Sequence, residues 1–153
     1  MNNEYSYAKF AAMNAVRQQQ SLPLTQPGSA KWGDAVSSGR NGFQVLPDVL
    51  LRNQQRLQLD ATDVVVLINI LMHWWEPENW PHPRPTLIAK RMGTTARTVE
   101  RHIQRMCDLG LMEWLPWEPR GDGPKIRRFD LRPLRERLEE FALQGELERQ
   151  DAT

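Results

Sequence analysis

The chain has 153 residues, of which 40% are hydrophobic and 25% are charged, and its formal net charge is +1. This length and composition predict one packed domain with extensions, or at most two very small domains, and argue against a largely disordered chain. No stretch is apolar for long enough to cross a bilayer. The single cysteine, Cys107, excludes an intrachain disulfide and a cysteine-based zinc site, and we expect a cytoplasmic protein.

Residues 1–42 are predicted to form an N-terminal extension. Residues 1–20 are compatible with a short amphipathic helix. Residues 21–42 are rich in Pro, Gly, Ser and Thr without periodicity, which indicates an extended arm. A loosely docked tail and an arm exchanged with a second subunit both remain open.

Two helices are predicted ahead of the middle of the chain. Residues 43–51 are typical of a short extended segment followed by a helix that starts at Pro47. A second helix is expected over residues 61–75, with Asp60 as its N-cap. It is apolar almost all round, which predicts the buried central helix of the domain. The proline-rich residues 76–84 then predict an extended connector, anchored to the body by Trp80.

A helix–turn–helix pattern follows. Proline at position 85 suits the first turn of a helix that runs to residue 92, and Gly93 ends it. Thr95 caps a second helix that ends before Gly110. On a helical wheel the apolar residues Val99, Ile103 and Met106 share one sector. Opposite them lie Arg97, Arg101, Gln104 and Asp108, flanked by Thr98 and Arg105.

The remaining residues predict a β-hairpin wing and a final helix. Strands are expected over 111–115 and 126–131, with turn signals at 121–123 between them, and Trp114 and Trp117 are expected to pack under the wing. A helix from Pro133 carries an apolar stripe and is weakened near its end by Gly145. Packing on the domain and pairing with a second subunit are both open for that stripe, which consists of Leu134, Leu138, Phe141 and Ala142.

Charge is distributed unevenly along the chain. Residues 84–105 contain six basic residues and one acidic residue, a formal charge of +5, and residues 120–132 contain five and two, or +3. Residues 133–153 contain three basic and six acidic residues, or −3. The positive charge therefore coincides with the second helix of the pair and with the hairpin, as is typical of a nucleic-acid-binding protein.

The stretch LIAKRMGTTARTVERHIQRMCDLGLM resembles the winged helix-turn-helix of bacterial, plasmid and phage transcriptional regulators and replication proteins, and the resemblance extends over about residues 43–138. It implies a mainly α fold with a small β-hairpin wing (α+β), a DNA-binding domain at 43–132, and a C-terminal helix and tail at 133–153 that could dimerise. The sequence departs from the usual pattern at Arg84, Thr94 and Ala96, where Ser, an apolar residue and often Arg are found.

Double-stranded DNA is therefore the expected partner, with Arg97 and Arg101 in the major groove, and a homodimer is the expected assembly. The full predicted DNA-binding set is Thr95, Arg97, Thr98, Arg101, Gln104, Arg105, Arg120, Lys125, Arg127 and Arg128. No cofactor, metal or small-molecule substrate is expected, because the three histidines lack ligand spacing and no phosphate-binding or catalytic motif occurs. The protein is not expected to be an enzyme.

The favoured function at this point is sequence-specific DNA binding by a small transcriptional regulator that represses by occupying a promoter. A plasmid or phage replication initiator that binds origin repeats is the first alternative. The second alternative is a winged helix that acts as a protein–protein interaction module.

Overall fold

The computed structural model describes residues 31–37 and 43–151, and the chain divides into two units, residues 1–43 and residues 44–153. The first unit contains helix α1 (Asp34–Ser37) among its described residues. The amphipathic helix predicted within residues 1–20 and most of the predicted arm lie outside the described residues.

The second unit combines helices with two small antiparallel sheets, so a mixed α+β class is confirmed. Its elements in chain order are α2 (Asp48–Arg52), α3 (Ala61–Leu71), α4 (Pro85–Met92), α5 (Ala96–Asp108), β1 (Glu113–Trp114), β2 (Glu118–Arg120), β3 (Gly123–Ile126), β4 (Phe129–Asp130) and α6 (Arg132–Asp151). None of the helices in the described part of the chain is long and apolar enough to cross a membrane.

Helix α3 begins where the sequence predicts and ends four residues early. The Asp60 carboxylate accepts a hydrogen bond from Asp63 N at 2.7 Å, and the Asp63 carboxylate accepts one from Asp60 N at 2.9 Å, which completes a capping box. After Leu71 the chain tightens into a turn, because Trp74 N donates to the Leu71 carbonyl. Trp74 then stacks on Trp80 with ring centroids 5.4 Å apart, so Trp80 anchors the connector as predicted.

Helices α4 and α5 have nearly the predicted bounds. Pro85 occupies the first turn of α4, and Gly93 ends it with φ 66°, a left-handed conformation that suits glycine. The Thr95 hydroxyl accepts from Thr98 N at 3.2 Å and caps α5. Arg84 makes no side-chain cap, as its departure from the family pattern predicts. The two helices are therefore joined by a turn of only three residues.

The hydrophobic core lies between α3, α4, α5 and α6. The apolar residues of α5 that share one sector, Val99, Ile103 and Met106, are fully buried. Leu134, Leu138 and Phe141 of α6 belong to the same core cluster, so this stripe packs within the unit, whereas Ala142 is exposed. Helix α6 starts at Arg132, one residue before the predicted start, and continues through Gly145 to its end at Asp151.

The predicted strand pairing is wrong in part. The strands do not form one long hairpin: Glu113–Trp114 pairs with Phe129–Asp130, and a separate hairpin pairs Glu118–Arg120 with Gly123–Ile126. The hairpin therefore occupies most of the segment that was expected to be a loop. Its register shifts between Glu118 and Arg120, which marks a bulge, and Gly121 makes the turn with φ 50°. Two short ladders replace one long one because the bulge and the proline residues interrupt regular pairing.

The connector contacts β4 without forming a strand. Phe129 N donates a hydrogen bond to the Pro81 carbonyl at 2.9 Å. Proline can accept this bond through its carbonyl, although it has no N–H to donate. Within residues 76–84 only an isolated bridge between Glu76 and Asn79 is formed. The connector thus packs along the β1–β4 sheet, next to the start of α4.

Candidate nucleic-acid interface

The exposed side of α5 presents two arginines one helical turn apart. Arg97 and Arg101 are exposed, and neither guanidinium has a hydrogen-bond or ion-pair partner among the described residues. Gln104 is also exposed, and its amide donates to the Asp108 carboxylate at 2.9 Å. We name Arg97, Arg101 and Gln104 the α5 ridge. Within the described part of the chain, its arginines have no interaction to break before they contact phosphates or base edges.

Thr95 and Thr98 serve the start of the helix. Their hydroxyl oxygens lie 3.0 Å apart, and the Thr95 hydroxyl also accepts from Thr98 N. The two residues hold the first turn of α5 in place. They sit beside the free N–H groups at this helix end, which carries a partial positive charge.

Arg105, another predicted DNA contact, points its guanidinium into the protein. It donates to the Asp63 carboxylate, and its second terminal nitrogen donates to the Gln58 carbonyl at 2.6 Å. His102 lies one turn earlier, with Nδ1 2.7 Å from the other Asp63 oxygen. Asp63 itself is fully buried. These contacts fix the middle of α5 to the N-terminal turn of α3.

No pattern in the sequence predicts this polar cluster. The sequence indicates Asp60 only as an N-cap, and the three histidines only as residues without metal-ligand spacing. The one available signal was Asp63 itself, an acid at the edge of an otherwise apolar helix. Its partners on α5 lie about forty positions later, at a separation that no local pattern reports.

The same cluster brings three potential metal ligands together. The ligand atoms of Asp60, Asp63 and His102 lie within 4.8 Å of one another. The Asp63 carboxylate already accepts from the Asp60 amide and from Arg105, whose charge occupies the position of a cation. The Asp63 amide, through its hydrogen bond to the Asp60 carboxylate, is the main factor that lowers the pKa of Asp60. The cluster fits a hydrogen-bonded brace better than a metal site.

The four predicted cations of the hairpin region divide into two pairs. Arg120 and Lys125 are exposed and have no side-chain partner among the described residues. Arg127 donates from Nε to the Leu115 carbonyl at 2.9 Å. Arg128 donates to Glu118 at 2.8 Å and, from Nη1, to the side chain of Asn79 and the carbonyl of Trp80. Two of these residues can meet an external anion directly, and two brace the hairpin against the sheet and connector.

Trp117 differs from its predicted position. Trp114 is half-buried, and its ring centroid lies 4.2 Å from that of Phe129, as expected of a residue under the hairpin. Trp117 is 63% exposed. The Arg127 guanidinium lies over both indoles, 4.6 Å from the Trp114 centroid and 5.8 Å from that of Trp117. The prediction that both tryptophans pack under the hairpin is therefore wrong for Trp117.

Helix α4 adds one further free cation. Lys90 is exposed and has no partner among the residues described. Arg91 instead lies 3.1 Å from Nε2 of His73. Burial, followed by the charge of Arg91, lowers the pKa of His73, so at neutral pH the imidazole is the uncharged partner of this contact.

Two comparisons relate this chain to known proteins. A sequence model described as the DnaD N-terminal domain matches residues 46–150. Among solved structures, the N-terminal domain of DnaD protein from Geobacillus kaustophilus HTA426 is similar, with a TM-score of 0.52 and 21% sequence identity. The alignment covers 73% of this chain and 89% of that one, and at this identity it shows a likeness of fold alone. No curated protein sequence matches the chain.

Proposed function

Because the chain belongs to the DnaD N-terminal domain family, we propose that it acts in DNA replication, as a winged-helix module that binds duplex DNA. The sequence resemblance left a transcriptional repressor and a replication initiator open, and membership of this family favours the second. The proposal keeps DNA as the partner and replaces promoter occupation with binding at a site where replication begins.

The α5 ridge is the observation that carries this proposal. Winged helix-turn-helix proteins insert the N-terminal part of the second helix into the major groove. Arg97 lies in the first turn of α5 and Arg101 in the next, so both reach the groove if the helix enters by this end. Arginine makes bidentate contacts with guanine, and the free N–H groups of the helix start favour a phosphate.

The hairpin supplies contacts to the DNA backbone in this proposal. Arg120 and Lys125 are its free cations, and they bind phosphates without reading sequence. Arg105, Arg127 and Arg128 act indirectly, because their guanidinium groups hold α5 and the hairpin in position. The proposed direct contacts are therefore Arg97, Thr98, Arg101, Gln104, Arg120 and Lys125.

Fluorescence anisotropy with labelled duplexes tests the ridge. A duplex selected from a random library is compared with an unselected duplex at fixed salt. We expect Arg97→Ala or Arg101→Ala to cost about 1–3 kcal/mol on the selected duplex, or about 5- to 150-fold in Kd, and less on the unselected one. Arg135→Ala on α6 removes the same charge from an exposed position outside the ridge and hairpin, and is the matched control.

Equal losses for the Arg135 control and the ridge variants would refute groove binding by α5. The selected sequences separate the two DNA-binding roles. Direct repeats support an initiator that binds origin repeats, and a palindrome supports a dimeric repressor on a two-fold operator.

A protein-interaction module is the second candidate, and the end of α6 favours it. Leu143 and Leu147 lie four residues apart on one side of the helix and are 62% and 60% exposed. Exposed leucines at this spacing suit a helix that packs against another protein or a second copy of the chain. Absence of binding to any duplex, together with sedimentation above the monomer mass, would favour this candidate over the first.

A further inference from the structure

We propose that Trp117 is a stacking platform for the bases of single-stranded DNA, with the β2–β3 hairpin supplying the phosphate contacts. The inference rests on the proposed function, because a protein that acts where replication begins meets DNA whose strands are separated. It adds a second DNA-binding site of different chemistry from the α5 ridge.

The exposure of Trp117 is the first observation. An indole left largely in water forgoes the burial that normally stabilises a tryptophan. Trp74, Trp80 and Trp114 are each half-buried and packed against the core, so the second unit accommodates tryptophans elsewhere. The Arg127 guanidinium approaches the Trp117 ring at 5.8 Å, and most of the remaining ring surface is open to solvent.

The support beneath the ring is the second observation. Arg127 is held by its bond to the Leu115 carbonyl and by its contact with Trp114, which itself packs on Phe129 of the core. Trp117 is also followed by Glu118, the first residue of β2, whose carboxylate is bound by Arg128. A ring on such a base loses little conformational freedom when a ligand stacks on it.

The charge of the hairpin indicates which kind of ligand stacks on Trp117. Arg120 and Lys125 are unpaired among the described residues, and Arg128 neutralises the nearby Glu118 carboxylate. Asp122 at the turn is the one free acid of the hairpin. The surface near Trp117 therefore joins an open aromatic ring to net positive charge, the combination that binds single-stranded nucleic acid.

Stacking on Trp117 favours unpaired bases over duplex DNA. Inside a duplex both faces of a base are covered by neighbouring base pairs, so an indole can stack there only after a base step has been unstacked, which costs a few kcal/mol. Unpaired bases expose those faces. Since every base has a π face, stacking of this kind tolerates any sequence.

The test uses the full chain and fluorescein-labelled oligo(dT) of about 20 nucleotides, with anisotropy measured at constant salt. From the usual contribution of one stacked base, Trp117→Ala is expected to weaken binding about 5- to 150-fold. Trp117→Phe should retain much of the affinity, and Trp117→Leu should behave like alanine because it restores apolar area without a ring. Trp32→Ala is the matched control, since Trp32 is 65% exposed and lies outside the hairpin.

Unchanged oligo(dT) binding by Trp117→Ala would overturn the inference, and so would full rescue by leucine. Binding of oligo(rU) without binding of oligo(dT) would overturn the choice of DNA. Duplex binding, measured on the Trp117 variants and on the Arg97 and Arg101 variants, distinguishes the two proposed sites. Loss of oligo(dT) binding by Trp117→Ala, with normal duplex binding, supports the stacking platform. Duplex binding that is unchanged by Arg97→Ala and Arg101→Ala refutes only the proposed role of the α5 ridge.

Discussion

Replacement of Asp63 by alanine would show how strongly the polar cluster holds α5 on α3. The Asp63 side chain is fully buried and makes three interactions: with the Asp60 amide at 2.9 Å, with His102 Nδ1 at 2.7 Å, and with the Arg105 guanidinium. Alanine removes all three at once and leaves His102 Nδ1 with the longer contact of 4.0 Å to the Asp60 carboxylate.

The expected cost follows from these contacts. The N-cap bond from Asp63 N to the Asp60 carboxylate remains, and loss of the reciprocal bond to Asp60 N costs about 1 kcal/mol, as for a typical hydrogen bond. The hydrogen bond between a carboxylate and His102 contributes about 1.5–3 kcal/mol. The Arg105 side chain is 41% exposed, so water screens its ion pair and we assign it less than about 1 kcal/mol. Since interactions that share one carboxylate are not additive, the total expected loss is about 3 kcal/mol, a fall in Tm of about 6–12 °C.

Urea unfolding followed by circular dichroism measures this loss directly. Asp48→Ala is the matched control, because the Asp48 side chain is 80% exposed and its ion pair with Arg52 spans 3.3 Å. That control should change the free energy of unfolding by less than about 0.5 kcal/mol. Asp63→Asn should cost less than alanine, since its amide oxygen still accepts one bond. If Asp63→Ala costs no more than Asp48→Ala, the cluster does not anchor α5.

Two further predictions concern stability. The hydrogen bond from Arg132 lowers the pKa of Asp130, so this carboxylate stabilises the fold above its unfolded pKa of about 4 and that stabilisation is lost as the pH falls through the folded pKa. Urea titrations across the acid range should show a shallower decline for Asp130→Asn, and an identical decline would exclude this pair as a source of acid sensitivity. Gly93→Ala should destabilise by about 1 kcal/mol because φ is 66°, whereas Gly145→Ala within α6 should stabilise by about 0.5–1 kcal/mol. Thermal unfolding should therefore shift in opposite directions for the two, and shifts of the same sign would contradict the argument from backbone conformation.

The sequence predicts the helix–turn–helix well because its boundaries depend on local chemistry. Pro85, Gly93, Thr95 and Gly110 act on neighbours within about four residues, through ring geometry, left-handed backbone or a single side-chain bond. The buried face of α5 follows from helical periodicity alone. These effects are largely independent of the rest of the fold.

The strand pairing and the contacts of the arginine side chains depend instead on distant parts of the chain. Strand β1 pairs with β4 where Trp114 meets Phe129, fifteen positions later in the sequence. The segment between the two predicted strands was expected only to form a turn at 121–123, yet Glu118–Arg120 pairs with Gly123–Ile126, because a two-stranded hairpin leaves room for proline at its edges. A helical wheel places Arg105 beside the ridge, and only the position of Asp63 shows that it points inward.

Helix α6 is continuous, but its two halves differ in how much of their surface is buried against the rest of the protein. Its buried residues end at Phe141, and none of residues 142–149 is buried. Opening of the first half exposes core and therefore costs nearly the global free energy of unfolding. Opening of the second half exposes no buried side chain, and the interactions that it breaks include the exposed hydrogen bond from Arg56 to the Gln144 side chain. The leucines at 143 and 147 share one side only while that half is helical. A partner that binds there must supply the free energy of ordering this segment, and it can do so without disturbing the packing that positions α5.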